Sequence, residues 1–504
     1  MIQIGNTFAL LALLGWPLVA VALFKHLALE RALIWSILAA YMFLPQVSEI
    51  NLPAIPAFDK VTIPNLMAFA LCLGIWGKRP DIVPQSIAGR ILLVMFIVSP
   101  AITVLTNLEP VEFGVDQFGS LRLVDPNALE RWGLPGLRVY DSLSALAQQV
   151  FLMLPFFLAR AVLRSEAAIR EILLALVIAG AIYALPMLWE VRFSPQLHTQ
   201  VYGFFQHSFA QAMRDGGFRP FVFMPHGLWV AFFAFMCAMA AAAWVRDSQV
   251  NDRGKRLMIL GLMALLVVIC KSLGALVFTL AFVPMVLLFK PRVNVTIAAG
   301  LAVLVLAYPL LRGSGVVPTE QMVASLAPHN AERAQSLEYR FDNEDDILAH
   351  VEAKPLFGWG GWGRFMVYDP RTGESQTVVD GQWIITIGHY GWLGFLALFG
   401  LLAMPLLGLW WQVRKPQAPP IPVAVSTLAL ILAVNMVDLL PNATLIPFTW
   451  LMAGALLGYV EDLRHANTAA RAANLRKAHA GVVLGVPTEV PPEPEAPKAR
   501  RSVL

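Results

Sequence analysis

Thirteen apolar segments of helical length run along this chain, and they constrain its fold more than any other feature. A helix needs about 20 mostly apolar residues, within a range of about 17–25, to cross the hydrocarbon core of a bilayer. Hydrophobic residues make up 58% of the 504 residues and charged residues 14%, whereas soluble proteins contain about 25% charged residues. The sequence therefore predicts an all-α fold, a polytopic bundle of about 12–13 transmembrane helices. The segments are approximately Thr7–Phe24, Ala32–Leu44, Ile63–Trp76, Ile91–Leu105, Leu143–Leu163, Ile169–Trp189, Gly227–Val245, Leu257–Cys270, Leu273–Phe289, Val295–Leu311, Ile387–Leu409, Ile421–Leu440 and Leu445–Val460.

The charges between these segments predict how the bundle is oriented. Loops that face the cytoplasm carry an excess of Lys and Arg. The odd-numbered connections are short and basic, and the even-numbered ones carry acids such as Glu49, Asp59 and Glu109. This alternation places the N-terminus and the long connections outside and the tail after Val460 in the cytoplasm. The basic residues of the odd connections are Lys25, Arg31, Lys78, Arg79, Arg90, Arg160, Arg164, Arg170, Arg246, Arg253, Lys255, Arg256, Lys290, Arg292, Arg414 and Lys415.

The chain divides into a transmembrane bundle, residues 1–460, and a cytoplasmic tail, residues 461–504. The long outer connections of the bundle span about 107–141, 190–226 and 312–386. The tail begins as a continuation of the last helix and then becomes rich in proline and charge. Such a composition buries too little apolar surface to fold, so the tail is predicted to be largely disordered.

Composition and residue spacing also indicate which ligands and partners the chain can bind. Cys72, Cys237 and Cys270 lie within apolar segments and are expected to be buried thiols. No outer connection shows metal-ligand spacing, so we expect neither a metal nor a cofactor. The formal net charge of +4 is concentrated at the inner connections, where it suits anionic membrane lipids. It gives no support for a nucleic-acid partner.

The longest connection, Arg312–Thr386, is predicted to be the active-site cap of a membrane enzyme. It runs for about 75 residues, and loops longer than about 12–15 residues are usually functional or disordered. Its many large side chains favour a folded, partly helical loop. One helical face combines Leu337, Arg340, Phe341, Glu344, Leu348 and Val351. Arg340 is therefore expected on the buried stripe of an amphipathic helix.

Two arginines are candidates for binding an anionic substrate. A guanidinium stays charged and donates two parallel hydrogen bonds, so it is suited to a diphosphate. For Arg340 the alternative is an ion pair with Glu344, one helical turn later. Arg219 stands just before Pro220 and the helix that begins at Gly227. Its alternative role is contact with lipid phosphates at the membrane interface.

Two other polar residues stand near predicted helix ends. His226 is either a structural hydrogen-bonding residue or part of a substrate site. Lys271 interrupts a nearly continuous apolar run, and an ionisable side chain within a membrane segment indicates function. Alternatively, Lys271 occupies a tight outer turn between the eighth and ninth segments, where water reaches it.

A glycine–tryptophan run, Gly358–Arg364, and the residues around Asp380 complete the candidate set. Trp359 and Trp362 alternate with glycines and are predicted to form a tight turn whose aromatic faces suit sugars or the lipid interface. The run lacks the preceding strand and following helix of a nucleotide-binding glycine motif. Asp380 is a candidate general base for a sugar hydroxyl, or the charge partner of the nearby arginines.

The order of these motifs resembles the O-antigen ligase and O-antigen polymerase superfamily of bacterial integral-membrane glycosyltransferases. The resemblance covers about Arg219 to Phe399, and its motifs are moderately specific in combination. They are Arg219-Pro220 before a helix, Lys271-Ser272-Leu273-Gly274 between two helices, Arg340 before Lys354-Pro355-Leu356-Phe357-Gly358-Trp359-Gly360, and Asp380 before Gly391-Trp392-Leu393-Gly394.

The resemblance implies metal-independent transfer of a glycan from an undecaprenyl-pyrophosphate carrier on the periplasmic side of the bacterial inner membrane. Ligases of this family hold the lipid diphosphate with outer-loop arginines and use a histidine in a His-Asn-x-x-Leu segment. The matching position here is Asp380, and His389 lies too close to Gly391 to be the equivalent residue. This difference favours a polymerase or an exopolysaccharide-assembly enzyme over a ligase.

The sequence thus predicts catalytic roles for Arg219, Arg340 and Asp380. A transporter or flippase for a lipid-linked or anionic solute is an alternative, and it predicts broken helices and internal repeats. A non-catalytic subunit of a polysaccharide-export complex is another. The expected partners are an undecaprenyl-pyrophosphate-linked oligosaccharide, an acceptor glycan or lipid, membrane lipids and other polysaccharide-assembly proteins. The predicted substrate-binding residues are His226, Lys271, Trp359, Trp362, Arg364, Gln382 and Trp383.

Overall fold

The structure is a computed structural model and describes residues 2–3, 5–51, 55–77, 81, 83–113, 133–214, 216–248, 250–328, 331–369, 373–416 and 418–483. Lys78 and Arg79, the middle of the 107–141 connection and the proline-rich end of the tail lie outside these residues. Helices dominate the described chain, as the sequence predicts, and its strands are two-residue pairs.

Sixteen α-helices, six short strands and two short 3-10 helices (Phe209–Ala212 and Val250–Asp252) make up the described elements. The helices are α1 (Thr7–His26), α2 (Leu29–Phe43), α3 (Thr62–Gly74), α4 (Ile87–Leu105), α5 (Asp141–Val162), α6 (Glu166–Phe193), α7 (Leu197–Tyr202), α8 (Gly227–Arg246), α9 (Arg253–Ile269), α10 (Leu273–Leu288), α11 (Pro291–Gly313), α12 (Thr319–Leu326), α13 (Ala331–Val351), α14 (Gln382–Val413), α15 (Val423–Asp438) and α16 (Pro447–Val483). The strands pair as β1 (Ile2–Gln3) with β2 (Glu49–Ile50), β3 (Val111–Glu112) with β4 (Gly133–Leu134), and β5 (Met213–Arg214) with β6 (Gly217–Phe218).

Every predicted apolar segment coincides with a helix, from α1 to α6, from α8 to α11 and from α14 to α16. Within the described residues, seven helices are long and apolar enough to cross a membrane: α1, α4, α5, α6, α8, α11 and α14. The apolar helices α3, α10 and α15 are shorter. This composition is that of a multi-pass membrane protein.

Hydrogen bonds gather the even-numbered connections together. The amide of Asn6 donates to the Tyr202 carbonyl over 2.9 Å, which joins the N-terminus to the sixth connection. Lys60 of the second connection donates to the Phe223 carbonyl of the sixth over 3.3 Å. Gln382, at the end of the tenth connection, donates its amide to the Asn442 carbonyl of the twelfth over 3.2 Å. We call this set of connections the outer end, following the prediction from charge.

Ion pairs gather the odd-numbered connections in the same way. Arg31 contacts Glu171 at 2.8 Å, which joins the first connection to α6, and Arg170 contacts Asp247 of the seventh at 3.0 Å. Arg160 contacts Glu461 of the tail at 2.8 Å. We call this set the inner end. The alternation of the connections agrees with that read from the charges, while the side of the membrane that each end faces remains a prediction.

Helix α8 lies at the centre of the bundle and positions the candidate site at its outer end. Most of its side chains are buried, including the run Ala240–Ala243. Small side chains let neighbouring helices approach closely within a membrane. The helix begins at Gly227, so the residues just before it emerge from the middle of the bundle rather than from its edge.

Helix α14 is interrupted at Gly391, whose φ of 64° and ψ of −167° are not helical. The free main-chain groups at this break pair with the segment Pro355–Gly360. The amides of Trp359 and Gly360 donate to the Gly388 and His389 carbonyls over 2.9 and 3.0 Å. The Trp392 amide donates to the Pro355 carbonyl over 2.9 Å. The glycine–tryptophan run therefore closes a break in a helix with its backbone.

Candidate functional site

Arg219 reaches the core of the protein from the sixth connection. Its main-chain amide donates to the Ala212 carbonyl over 2.9 Å, and its side chain is 0% exposed. The side chain lies directly against Gly227, the first residue of α8, where a Cβ atom would collide with Cδ and Nε of Arg219. Glycine at position 227 is therefore what lets the guanidinium enter.

The guanidinium of Arg219 has no hydrogen-bond partner on any of its three nitrogens within the described residues. Burying a charge without a partner is costly, and breaking a buried pair costs about 3–5 kcal/mol for the same reason. Burial, and then the positive charge of Arg214, lower the pKa of Arg219 to about 10. The group therefore remains cationic near neutral pH, and an anionic ligand would supply the missing partner.

The hairpin of β5 and β6 brings Arg214 next to this site. Arg214 is opposite Gly217 in the pairing, and Gly216 in the turn has a φ of 69°. Lys271, in the turn between α9 and α10, donates to the Arg214 carbonyl over 2.8 Å. A Cβ atom on Gly217 would lie 2.6 Å from Nζ of Lys271. Lys271 thus occupies the outer turn and supports the hairpin.

His226 caps α8 and faces the same group of cations. Its Nδ1 accepts from the Leu228 amide over 3.1 Å, and its ring lies 4.7 Å from the ring of His207. Burial most of all, and then the positive charges of Arg219, His207, Arg214 and Arg340, lower its pKa to about 3. A neutral imidazole suits a capping acceptor. We name Arg214, Arg219 and Arg340 the arginine cluster.

Arg340 enters the site from α13, the amphipathic helix that the sequence predicts. Its Nε donates to Asp380 over 3.0 Å, and the two side chains are 34% and 48% exposed. The alternative prediction, a pair with Glu344, is therefore not the arrangement found. A small crevice opens beside the pair and is lined by Arg340, Asn343, Glu344, Val378, Val379, Asp380, Gly381 and Pro441.

Glu344 anchors α13 to the bundle. Its Oε1 accepts from Nε1 of Trp383 over 3.2 Å, and its Oε2 lies 3.7 Å from Nε of Arg312. Burial is the main cause that raises the pKa of Glu344 to about 7, and the Trp383 hydrogen bond opposes it. Arg312 also contacts Asp345 at 2.7 Å. These contacts fix the helix that carries Arg340.

Two predicted substrate-binding residues of α14 have structural contacts instead. Trp383 is 0% exposed, so its predicted role in substrate binding does not agree with its position. Its ring packs edge-on against Tyr308 at 5.1 Å. Gln382 donates through Nε2 to the Thr386 hydroxyl over 3.1 Å, within the same helix.

In the glycine–tryptophan run, Trp359 and Arg364 have structural contacts, whereas Trp362 is exposed. Trp359 stacks on His350 at 4.2 Å and donates to the His350 carbonyl over 3.1 Å. Arg364 is buried and donates to the Pro135 and Glu109 carbonyls over 2.7 and 2.8 Å, so it joins the fourth and tenth connections. Trp362 differs, because 71% of it is exposed, and its φ of 56° is unusual for a residue other than glycine. Trp362 alone of the three predicted tryptophans offers an open ring.

The structure thus brings together Arg219, Arg340, Asp380, His226 and Lys271, and it places Trp359, Arg364, Gln382 and Trp383 in supporting contacts. Arg214 and His207 are site residues to which sequence reasoning assigned no role. The dipeptide Asp215-Gly216 was the available signal, because Asp-Gly favours two-residue hairpin turns. No protein-family model matches the sequence, and no curated protein matches it as a relative. The function is therefore inferred from the site itself.

Proposed function

We propose that this protein is a membrane glycosyltransferase of surface-polysaccharide assembly. It transfers or polymerises a glycan from an undecaprenyl-pyrophosphate-linked donor at the periplasmic face of the bacterial inner membrane. The observation that carries the proposal is the buried guanidinium of Arg219, which has no partner within the described residues and stands among other cations. A site of this kind, at the outer end of an apolar bundle, suits an anionic head group on a lipid chain.

A diphosphate matches the arginine cluster in charge and in shape. Each guanidinium can donate two parallel hydrogen bonds to phosphate oxygens and stays charged near neutral pH. Breaking the bond between the sugar C1 and the diphosphate oxygen leaves additional negative charge on the diphosphate. Donors that are already positioned stabilise this developing charge without reorganisation. We assign this role to Arg219 and Arg340, with Arg214 at the exposed edge.

Asp380 is the proposed proton acceptor for the attacking hydroxyl. The hydroxyl oxygen of the acceptor sugar bonds to C1, its proton passes to the Asp380 carboxylate, and the bonding pair leaves with the diphosphate. Asp380 is 48% exposed, so an acceptor can approach it, while its contact with Arg340 at 3.0 Å keeps it beside the donor site. A carboxylate at this position, where ligases of the resembling family have a histidine, favours a polymerase over a ligase.

Transport of a lipid-linked or anionic solute is the second candidate function. The interruption of α14 at Gly391 favours it, because transporters place broken helices at their binding sites. However, the amides of Trp359 and Gly360 already pair with the carbonyls at that break. The two candidates differ in chemistry, because a transporter delivers its lipid-linked solute with every bond intact.

Purified protein in liposomes is expected to convert a lipid-linked oligosaccharide donor and an acceptor glycan into undecaprenyl pyrophosphate and a longer glycan. The rate is expected to be the same in EDTA, because the proposed chemistry uses only arginines and a carboxylate. Chromatography of labelled donor measures both products. Movement of intact donor across the bilayer with no cleavage supports transport instead. Loss of activity in EDTA, with recovery on addition of one divalent ion, contradicts the metal-independent mechanism.

A further inference from the structure

The chain between Arg219 and α8 is held in place through its main chain. Within the segment Phe221–Met224, every main-chain N–H and C=O group has a hydrogen-bond partner. The guanidinium of Arg219, two residues earlier, has none within the described residues. A fully bonded backbone thus carries an unpaired cation, which is the arrangement expected of a donor that is positioned before its ligand arrives.

Glu190 of α6 makes two of these hydrogen bonds, and its side chain is 0% exposed. Its Oε2 accepts from the Phe221 and Val222 amides over 2.8 and 2.7 Å. Its Oε1 accepts from the Leu197 amide, at the start of α7, over 3.1 Å. Both carboxylate oxygens therefore bind main-chain donors, and the side chain joins α6, α7 and the segment that follows Arg219.

The backbone of Val222 shows how tightly the segment is constrained. Its φ of 51° lies in the left-handed region, which a β-branched residue rarely adopts. Such a conformation persists only where the surroundings over-determine it, and it is found most often at functional sites. Here Glu190 accepts from the Val222 amide, and Nε2 of Gln206 donates to the Val222 carbonyl over 3.1 Å. The Tyr183 hydroxyl accepts from the next amide, that of Phe223, over 3.1 Å.

We propose that Glu190 is a positioning residue, which holds the Arg219 guanidinium where the donor diphosphate binds. The inference rests on the proposed function, because it assumes that Arg219 binds this group. The amide of Arg219 donates to the Ala212 carbonyl, and Glu190 holds the chain two residues later, so the main chain is fixed on both sides of Arg219. The guanidinium forms no hydrogen bond within the described residues, so its position depends on this backbone and on its packing against Gly227. A misplacement of about 1 Å can lower an enzymatic rate about 10²-fold.

Glu190→Gln tests the proposal, because glutamine has the shape of glutamate but one acceptor oxygen instead of two. At least one main-chain amide therefore loses its partner. The rate of glycan transfer per folded molecule, measured with purified enzyme and lipid-linked donor, is expected to fall about 10²-fold. The same substitution added to Arg219→Ala is expected to cause no further loss, since no guanidinium remains to be positioned.

Two further variants make the result specific, and every rate is divided by the amount of folded protein seen in size-exclusion chromatography. Glu461→Gln is the matched control, because Glu461 is also buried and accepts from a main-chain amide over 2.9 Å, but at the inner end. It is expected to keep the wild-type rate. Tyr183→Phe removes the acceptor of the Phe223 amide and replaces Glu190→Gln if the latter does not fold. It is expected to lower the rate about tenfold, again only where Arg219 is present.

A Glu190→Gln enzyme with the wild-type rate overturns the positioning role, and so does an equal loss in the presence and absence of the Arg219 guanidinium. A loss of the same size in Glu461→Gln also overturns it, because the effect then follows from the loss of any buried carboxylate. In each of these cases Arg219→Ala is still slow, and the proposed function stands. A wild-type rate in Arg219→Ala itself overturns the proposed function as well.

Discussion

Replacing Arg219 by alanine is expected to lower the rate of glycan transfer about 10²–10³-fold, which is the usual effect of removing one donor that stabilises a transition-state charge. The protein should still accumulate in the membrane at normal levels. The reason is that the guanidinium has no hydrogen-bond partner within the described residues, so its removal leaves no described group unpaired. Initial rates with purified enzyme and lipid-linked donor measure the effect.

Arg219→Lys tests whether geometry or charge alone matters, and it is expected to recover little activity, because an ammonium lacks the bidentate fork. Arg340→Ala should lower the rate of transfer by a similar factor. Arg164→Ala is the matched control, since Arg164 forms an exposed ion pair with Asp462 at the inner end and should keep wild-type rates. Near-normal activity in both Arg219→Ala and Arg340→Ala would show that these arginines do not bind the donor diphosphate during transfer.

Asp380→Asn is expected to reduce turnover by a factor on the order of 10²–10⁴, the usual contribution of a general base. The amide keeps the shape of the carboxylate and can still accept the hydrogen bond from Arg340 Nε, but it cannot take the proton of the acceptor hydroxyl. Affinity for the donor should change little, because the arginines remain. Single-turnover rates at saturating donor separate turnover from binding.

Asp462→Asn is the matched control for Asp380→Asn. Asp462 is also an exposed carboxylate in contact with an arginine, Arg164, but it lies at the inner end. It should tolerate the change. An Asp380→Asn enzyme that works within a few-fold of wild type excludes the base role and leaves Asp380 as the charge partner of Arg340.

The sequence predicted the helices well because their signals are local. Every segment that hydropathy located proved helical, and the period of 3.6 residues predicted the amphipathic helix α13 that carries Arg340. Charge in the short connections predicted which of them share an end of the bundle. Each of these properties is set by neighbours within a few turns.

The side-chain partners could not be predicted in this way, because they lie far apart in sequence. Local spacing suggested that Arg340 pairs with Glu344, whereas its partner is Asp380, 40 residues away. The sequence offered Asp380 as a charge partner of nearby arginines but could not say of which one. The same spacing gave no warning that Trp383 would be buried against Tyr308. The backbone of the glycine–tryptophan run pairs with residues near Gly388, next to the break in α14. No sequence motif encodes that pairing.

The most direct test uses a soluble analogue of the donor, a sugar diphosphate with a short prenyl chain. Its affinity is measured side by side, at one pH, for wild-type protein and for Arg219→Ala. We propose that the buried guanidinium of Arg219 binds the donor diphosphate. A charge-assisted hydrogen bond contributes about 1.5–3 kcal/mol, so the account predicts that the alanine variant binds at least about tenfold more weakly. Equal affinity in the two proteins, with the variant shown to be folded, would contradict it.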